Sequence, residues 1–298
     1  MISNSKINIL LYTLLFISGI FLMSCEDVID VELEETESVI VVDAWLNNID
    51  SKQTIKVSES QTYFDNGEPV GITNASVTVI RSDGKVFTFT SQGDGTYIAE
   101  TEIDSLGFVG DEYQLAILID GIEYSADSKM NRVPVIDSIG VEFRDDELFS
   151  DDGLYANFYA RDPKGTGDAY WIKTYANDLY LDKATELNLA FDAGFDAGTG
   201  IDGITFITPI REVINRLDED GLVFPYVTGE TIRVEIHSIS VEAFNFMEIV
   251  RDQINNSQNG IFSLPLANAR TNMSASDGSG VVGFFNVAAV SLMEKLVE

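Results

Sequence analysis

The chain has 298 residues, 45% of them hydrophobic, with 18 basic against 49 acidic side chains and a formal net charge of -31. That length holds one large core or two ordinary ones at roughly 100 to 200 residues per domain, and so negative a surface repels phosphate backbones, which sets nucleic acid aside as a partner. With 1 Cys and 1 His there is neither an internal disulfide nor a four-ligand Cys/His zinc site.

Residues 1–24 read as an export signal: Lys6 precedes an apolar run from Ile7 to Met23, broken only by Asn8, Thr13, Ser18 and Gly19. The run is shorter than the roughly 20 residues of a membrane span. Leu22-Met23-Ser24-Cys25 then sets a small residue before the cysteine and a large aliphatic three before it. This resembles the lipobox of bacterial lipoproteins, which implies cleavage before Cys25 and acylation of its thiol and new amine. Two or three acyl chains, at about 0.8 kcal/mol per buried CH₂, anchor stably in a bilayer where one does not. An uncleaved membrane anchor with an incidental cysteine is the alternative. Glu26, Asp27, Asp30, Glu32, Glu34, Glu35 and Glu37 make residues 25–37 an acidic tether, too charged to pack and about 40 Å long at full extension. It is similar to the stretch that sends lipoproteins of the Bacteroidota to the outer face of the outer membrane. A plain spacer is the other reading.

From Ser38 the pattern turns to period two. "SVIVVDAWLNN" begins a strand, "QTIKVSESQTYF" alternates, and "ASVTVIRSDGKVFTFTSQGDGTYIAE" holds strands around Ser82-Asp83-Gly84-Lys85 and a turn at Gly93-Asp94-Gly95. "DEYQLAILIDGIEYSADS" repeats the device about Asp120-Gly121. These spacings predict a mainly β chain with an immunoglobulin-like β-sandwich over residues 38–133.

A second β-rich domain is expected over residues 134–298, with strands in "VIDSIGVEFRD", "LYANFYA", "DAYWIKTYA" and "ETIRVEIHSIS", and a last one in "GVVGFFNVAAVSL". A helix near 209–218 is predicted from Thr208 as cap, Pro209 in the first turn and Ile210, Val213, Ile214 and Leu217 at helical spacing. Another is predicted over 241–256, capped by Ser238 or Ser240, with Phe244, Met247, Val250 and Ile254 as its buried stripe.

Four side-chain groups are candidates for chemistry. Tyr155 and Tyr159 share one strand face, and Trp171 and Tyr175 share a face of the next strand. If the two strands pair, they form an aromatic shelf on which sugar rings stack or peptides lie, or else ordinary cross-strand packing. For metal, Ca²⁺ suits an acid-rich chain; Asp192, Asp196 and Asp202 lie among glycines, and Asp145, Asp146, Asp151 and Asp152 form a second acidic loop. Neither follows the EF-hand spacing, and flexible acidic loops are the alternative. His237 falls on the strand face opposite Ile232, Val234 and Ile236 and is expected to face solvent, with no nucleophile elbow to serve. Paired carboxylates for glycoside hydrolysis cannot be picked by spacing among 49 acids.

Taken in order, the lipobox, "IVVDAWLNN", "IKVSESQTYFD" with "NASVTVI", "GTYIAE" with "GDEYQLAILIDGIEYSA", "DPKGTGDAYWIKTY" and "TNMSASDGSGVVGFFNVAAV" resemble the Bacteroidota outer-membrane lipoproteins grouped as domain-of-unknown-function family 4249. The resemblance spans the mature chain. It implies a surface-exposed lipoprotein that binds rather than catalyses, as an accessory of a TonB-dependent outer-membrane transporter in nutrient uptake. The family carries no established catalytic residues, so none is transferred. An envelope adhesion or assembly lipoprotein is the alternative, and an unrecognised hydrolase a third. A concave site faced by the aromatic shelf favours ligand capture, a flat apolar patch favours assembly, and acids with raised pKa in a cleft favour the enzyme.

Overall fold

Alternation builds the first sheet of the computed structural model, which describes residues 38–61, 67–102, 106–145, 151–196, 200–219, 221–257 and 268–298. Cys25, the rest of 1–37 and Asp146 lie outside the described residues. In β1 (Ile40–Asn47), Val42, Ala44 and Leu46 enter the core while Val41, Asp43 and Trp45 take the other face. The same period runs through β2 (Lys52–Glu59), β3 (Ser76–Arg81), β4 (Val86–Ser91), β5 (Thr96–Glu100), β6 (Glu112–Ile119) and β7 (Ile122–Lys129). Between β6 and β7, Asp120 and Gly121 have φ of 48° and 90°, the double positive φ of a tight hairpin turn.

The chain continues through a hairpin of β8 (Ile136–Arg144) and β9 (Gly153–Ala160), then β10 (Ala169–Ala176), β11 (Leu179–Tyr180), a 3₁₀ turn at Ala184–Glu186 and β12 (Asn188–Phe191). Helix α1 (Thr208–Glu212), a small hairpin of β13 (Arg216–Leu217) and β14 (Val223–Phe224), and β15 (Thr231–Ile239) follow. Helix α2 (Val241–Ser257) leads to β16 (Ser274–Ala275), β17 (Val281–Ala288) and β18 (Val290–Leu296). Among the described residues no helix is long and apolar enough to cross a membrane.

The strands form a nine-stranded sheet of order β16-β7-β6-β3-β4-β5-β2-β1-β17 and a smaller one of order β11-β10-β15-β18, with β12 also on β10. Residues 38–133 thus supply seven strands of the large sheet, and the chain returns to add β16 and β17 at its two ends. The sheet curls round one core, from Val42 and Ile55 to Leu115 and Phe285, so its ends meet: the Val287 N–H donates to Ser128 Oγ at 2.9 Å. Asn272 seals the outer edge of β17, accepting from the Phe285 N–H at 3.0 Å and donating to its carbonyl at 2.8 Å. A second core lies among β8, β9, β10, β15 and α1, around Phe158, Tyr170, Phe206 and Ile236. A third, with Phe191, Phe244, Met247 and Phe284, seats α2 against both sheets. Residues Ser38–Glu298 form one compact unit.

Three sequence expectations change. The helix expected over 209–218 ends at Glu212, because Asn215 leaves the helical path: its amide donates to the Glu212 carbonyl and pairs with both backbone groups of Ala156 in β9, each at 2.8 Å. The helix also begins a residue earlier than expected, with Ile207 at the cap and no side-chain cap bond. The last strand divides at Ala289 into β17 and β18, which join different sheets. His237 is buried, not solvent-facing, at 5% exposure, because β15 lies between β10 and β18 and its polar face is covered by the large sheet.

Gly283 tests the β1–β17 junction. Its φ is 103° and an added Cβ would meet the Val42 carbonyl oxygen at 1.9 Å, whereas Gly278, at φ 78°, has nothing within 4 Å. Gly283→Ala is expected to destabilise by at least about 2 kcal/mol and Gly278→Ala by about 1 kcal/mol, read from denaturant midpoints. Equal costs would mean that β17 is not held against β1.

Candidate functional site: two depressions beside helix α2

Helix α2 starts where Ser240 Oγ accepts the Ala243 N–H at 3.0 Å. Its apolar stripe then leaves the core along its length: Phe244 and Met247 are 3% and 5% exposed, but Ile254 is 43% exposed. The later part of the stripe therefore overhangs a groove instead of filling it.

The groove has a volume of about 410 Å³. β1 contributes Val41, Asp43 and Trp45 from its outer face, β10 contributes Trp171, β17 contributes Phe284, and α2 contributes Phe246, Val250 and Ile254. Trp45 stacks on Phe284 (centroids 5.7 Å apart, 15°) and meets Trp171 edge-on (5.7 Å, 75°); Phe246 lies 5.1 Å from Phe284. Both tryptophans of the chain are in this one cluster. Burial, against the pull of Lys56, the Trp45 indole and Lys173, leaves the Asp43 carboxyl above its ordinary range. Burial also pushes the Tyr180 phenol up to about 12.

Behind Trp171 lies a ladder of cross-strand pairs: Trp171 opposite His237, Lys173 opposite Glu235, and Tyr175 opposite Arg233. Lys173 Nζ is 3.9 Å from the Trp171 ring centre and the Arg233 guanidinium 4.0 Å from that of Tyr175. His237 Nε2 is 2.9 Å from Glu235 Oε2. Burial lowers His237 despite that carboxylate. Burial alone would raise Glu235, but His237, Lys173 and Arg233 outweigh it and hold it low.

On the other side of α2 a larger cleft, about 1030 Å³, runs between the outer faces of β6 and β7 and the helix start. Its lining is mixed, with Gln114, Asp127, Lys129, Asn131, Glu242 and Asn272 beside apolar Ile80, Val241, Phe284 and Phe285. Phe284 borders both depressions.

The expected aromatic shelf is not assembled. β9 pairs with β8, and β10 with β11, β12 and β15, because residues 161–168 carry the chain from one layer to the other. Tyr155 is buried, its hydroxyl on the Asp151 carbonyl at 2.7 Å, and Tyr159 lies under the Arg211 guanidinium at 4.7 Å. Trp171 and Tyr175 stay together, with Tyr180 5.2 Å from Tyr175. The partners that sequence reading missed are Trp45, Phe246 and Phe284. Trp45 had a signal, since an indole two residues from Asp43 on the face opposite Val42, Ala44 and Leu46 needs a second layer to cover it.

The acid expectation changes by one member. Asp192 and Asp202 do meet, but with Asp162: the three carboxylates lie within 4.8 Å of one another, while Asp196 is exposed. Asp162 accepts from the Tyr170 hydroxyl at 2.7 Å and the Gly203 N–H at 2.9 Å, Asp192 from the Gly167 and Asp168 N–H groups at 2.8 and 3.0 Å, and Asp202 from the Gly165 N–H at 2.8 Å. Burial raises Asp162, with Asp168 and Asp192 adding to it, against the bonds from Gly203 and Tyr170.

A pH series checks the ladder. A buried histidine whose pKa is lowered in the fold contributes stability above its unfolded value of about 6.5 and loses it as pH falls through the folded value. Stability is therefore expected to drop from pH 6.5 downward by at most about 1.4 kcal/mol per pH unit, and His237→Gln should remove that slope. The chain has 1 His, so an unchanged slope in the variant would show that His237 is not buried neutral.

No curated protein matches the chain. Among solved structures, bovine butyrophilin is 9% identical, covering 67% of this chain and 92% of its own at a TM-score of 0.22. An ice-binding, Ca²⁺-stabilised adhesin of an Antarctic bacterium is 10% identical, covering 70% and 45% at a TM-score of 0.20. Likenesses this slight carry no argument about fold or function. A family model matches residues 26–292, and the chain belongs to that family, described as "Domain of unknown function (DUF4249)".

Proposed function

We propose that this protein is a lipoprotein of the Bacteroidota outer membrane, anchored through Cys25 and exposed at the cell surface, and that it binds a nutrient as an accessory of a TonB-dependent transporter. The observation that carries the binding reading is the cleft of about 1030 Å³ beside α2, lined by polar and apolar groups together. Its amides and charged groups suit a hydroxyl- or amide-rich solute. The immunoglobulin-like plan for residues 38–133 belongs to the same proposal, supported by the curl of the large sheet round one core. Concave sites, with Trp171 in one of them, favour capture over a flat assembly surface.

Affinity purification of a C-terminally tagged copy from solubilised outer membranes tests the partner. A stoichiometric TonB-dependent barrel is expected with the native chain and its loss with Cys25→Ala. Recovery of the lipoprotein alone would sink the transporter reading and raise the adhesion or assembly reading and the hydrolase reading together.

A cation is a second reading, favoured by the convergence of Asp162, Asp192 and Asp202. Oxygen-rich sites of this kind suit Ca²⁺. Ca²⁺ at about a hundredfold over its Kd should stabilise the fold by about 2.7 kcal/mol. Melting temperatures that match in Ca²⁺ and in chelator would retire the site.

A further inference from the structure

The aromatic groove calls for a different ligand from the cleft. Its wall is built from Trp45, Trp171, Phe246, Phe284, Val250 and Ile254, and it offers a ligand few polar atoms. The Lys183 ammonium is held by the carbonyls of Leu217 and Asp218, which leaves the buried Trp171 Nε1, without a hydrogen-bond partner, as a lone donor in the wall. A sugar or a peptide leaves its hydroxyls or amides unpaired in such a site, which is unfavourable. A run of methylenes needs no partners and gains from every carbon removed from water.

Charge narrows the class. The ionisable groups of the lining are Asp43, Asp182, Tyr180 and the engaged Lys183, so a free fatty-acid carboxylate would meet acids at the mouth. A lipid whose headgroup stays outside would not. Position points the same way: Val41, at the start of the first strand, lines the groove, and the chain between Cys25 and Val41 spans at most about 55 Å. An anchor at Cys25 would keep the groove within that reach of a bilayer.

We propose that the groove between α2 and the outer face of β1 takes one acyl chain of a membrane phospholipid. This rests on the anchor only for its source of lipid, since the pocket itself is independent of Cys25. Both tryptophans line it, so the whole indole emission of the chain reports on this one site.

The test has two arms. In the first, the full chain with Cys25→Ala is titrated with a lysophosphatidylcholine brominated on its acyl chain, kept below its micelle concentration, with the unbrominated lipid and brominated palmitate as comparisons. Bromine quenches indoles at contact, and a loss of at least half of the emission with the brominated lysolipid only is expected. Ile254→Glu changes an exposed position, so it should fold normally by circular dichroism and weaken the quenching at least tenfold in lipid concentration. No quenching overturns the proposal, and equal quenching by palmitate overturns the assignment to phospholipid. In the second arm the native chain is floated with vesicles of brominated and plain phosphatidylcholine. Failure to float tells against the anchor and leaves the first arm to decide the groove; flotation without quenching overturns the membrane source.

Discussion

The parallel ladder between β1 and β17 is the constraint on which the rest depends. It runs from Ile40 opposite Val281 to Asn47 opposite Ala288, joining the first described strand to one near the chain's end. Parallel neighbours need a long crossover, and here nearly the whole molecule is that crossover. Only Ala289 then separates β17 from β18, which pairs with β15 in the other sheet. Closing this one ladder therefore fixes both sheets together. The crossing is tied by buried polar pairs: the Ser238 N–H donates to the Ala289 carbonyl and Ser238 Oγ accepts the Ala289 N–H, both at 2.9 Å, while the Asn286 amide bridges Ser238 and Ser240. Buried, mutually satisfied networks of this kind specify one geometry, since any slip leaves several donors unpaired at once.

That crossing also explains the two depressions. Phe285 and Val287 enter the large core and Phe284 points the other way, into the cluster under α2. Two sheets that meet along one strand diverge on either side of it, and a single helix cannot fill both wedges. α2 buries Phe244 and Met247 at the crossing and leaves one wedge at its start, faced by polar strand surfaces, and another under its later turns, faced by aromatic ones. The chemistry of each wedge follows from which strand face it meets. β6 and β7 show it the water-facing half of their alternation, whereas β1 shows it Val41 and Trp45.

Strand existence was legible from the sequence because period two and Asp/Gly turns are local signals, and β1 to β10 and β15 fall where alternation puts them. Pairing was not legible, because neighbours in the chain need not be neighbours in a sheet. β9 and β10 follow one another yet belong to different layers, which divides Tyr155 and Tyr159 from Trp171 and Tyr175. His237 shows the same limit from another side: alternation tells which residues share a face, but not what covers it. The α1 segment kept its helical spacing through Leu217, and a single buried amide, Asn215, overrode it by pairing with Ala156 across the layer. In the acid trio, Asp192 and Asp202 were readable as close in sequence, while Asp162 arrives from the far side of β10 and displaces Asp196.

The acidic surplus has two separate roles in this fold. Among the described residues the buried acids are Asp162, Glu186, Asp192 and Glu235. Three of them accept backbone N–H groups: Gly203 on Asp162, Lys183 and Leu217 on Glu186, and Gly167 and Asp168 on Asp192. They pin turns where the chain changes layers and where no strand ladder is available to receive those donors. Glu235 is instead matched by His237, Lys173 and Arg233. A carboxylate can accept several bonds at once, so one acid in each turn replaces the carbonyls that a ladder would have supplied. Most other acids remain hydrated, where their mutual repulsion keeps polyanions and other copies of the chain at a distance. An almost wholly apolar groove lined at its edge by Asp43 and Asp182 then suits a ligand segment that carries no charge of its own.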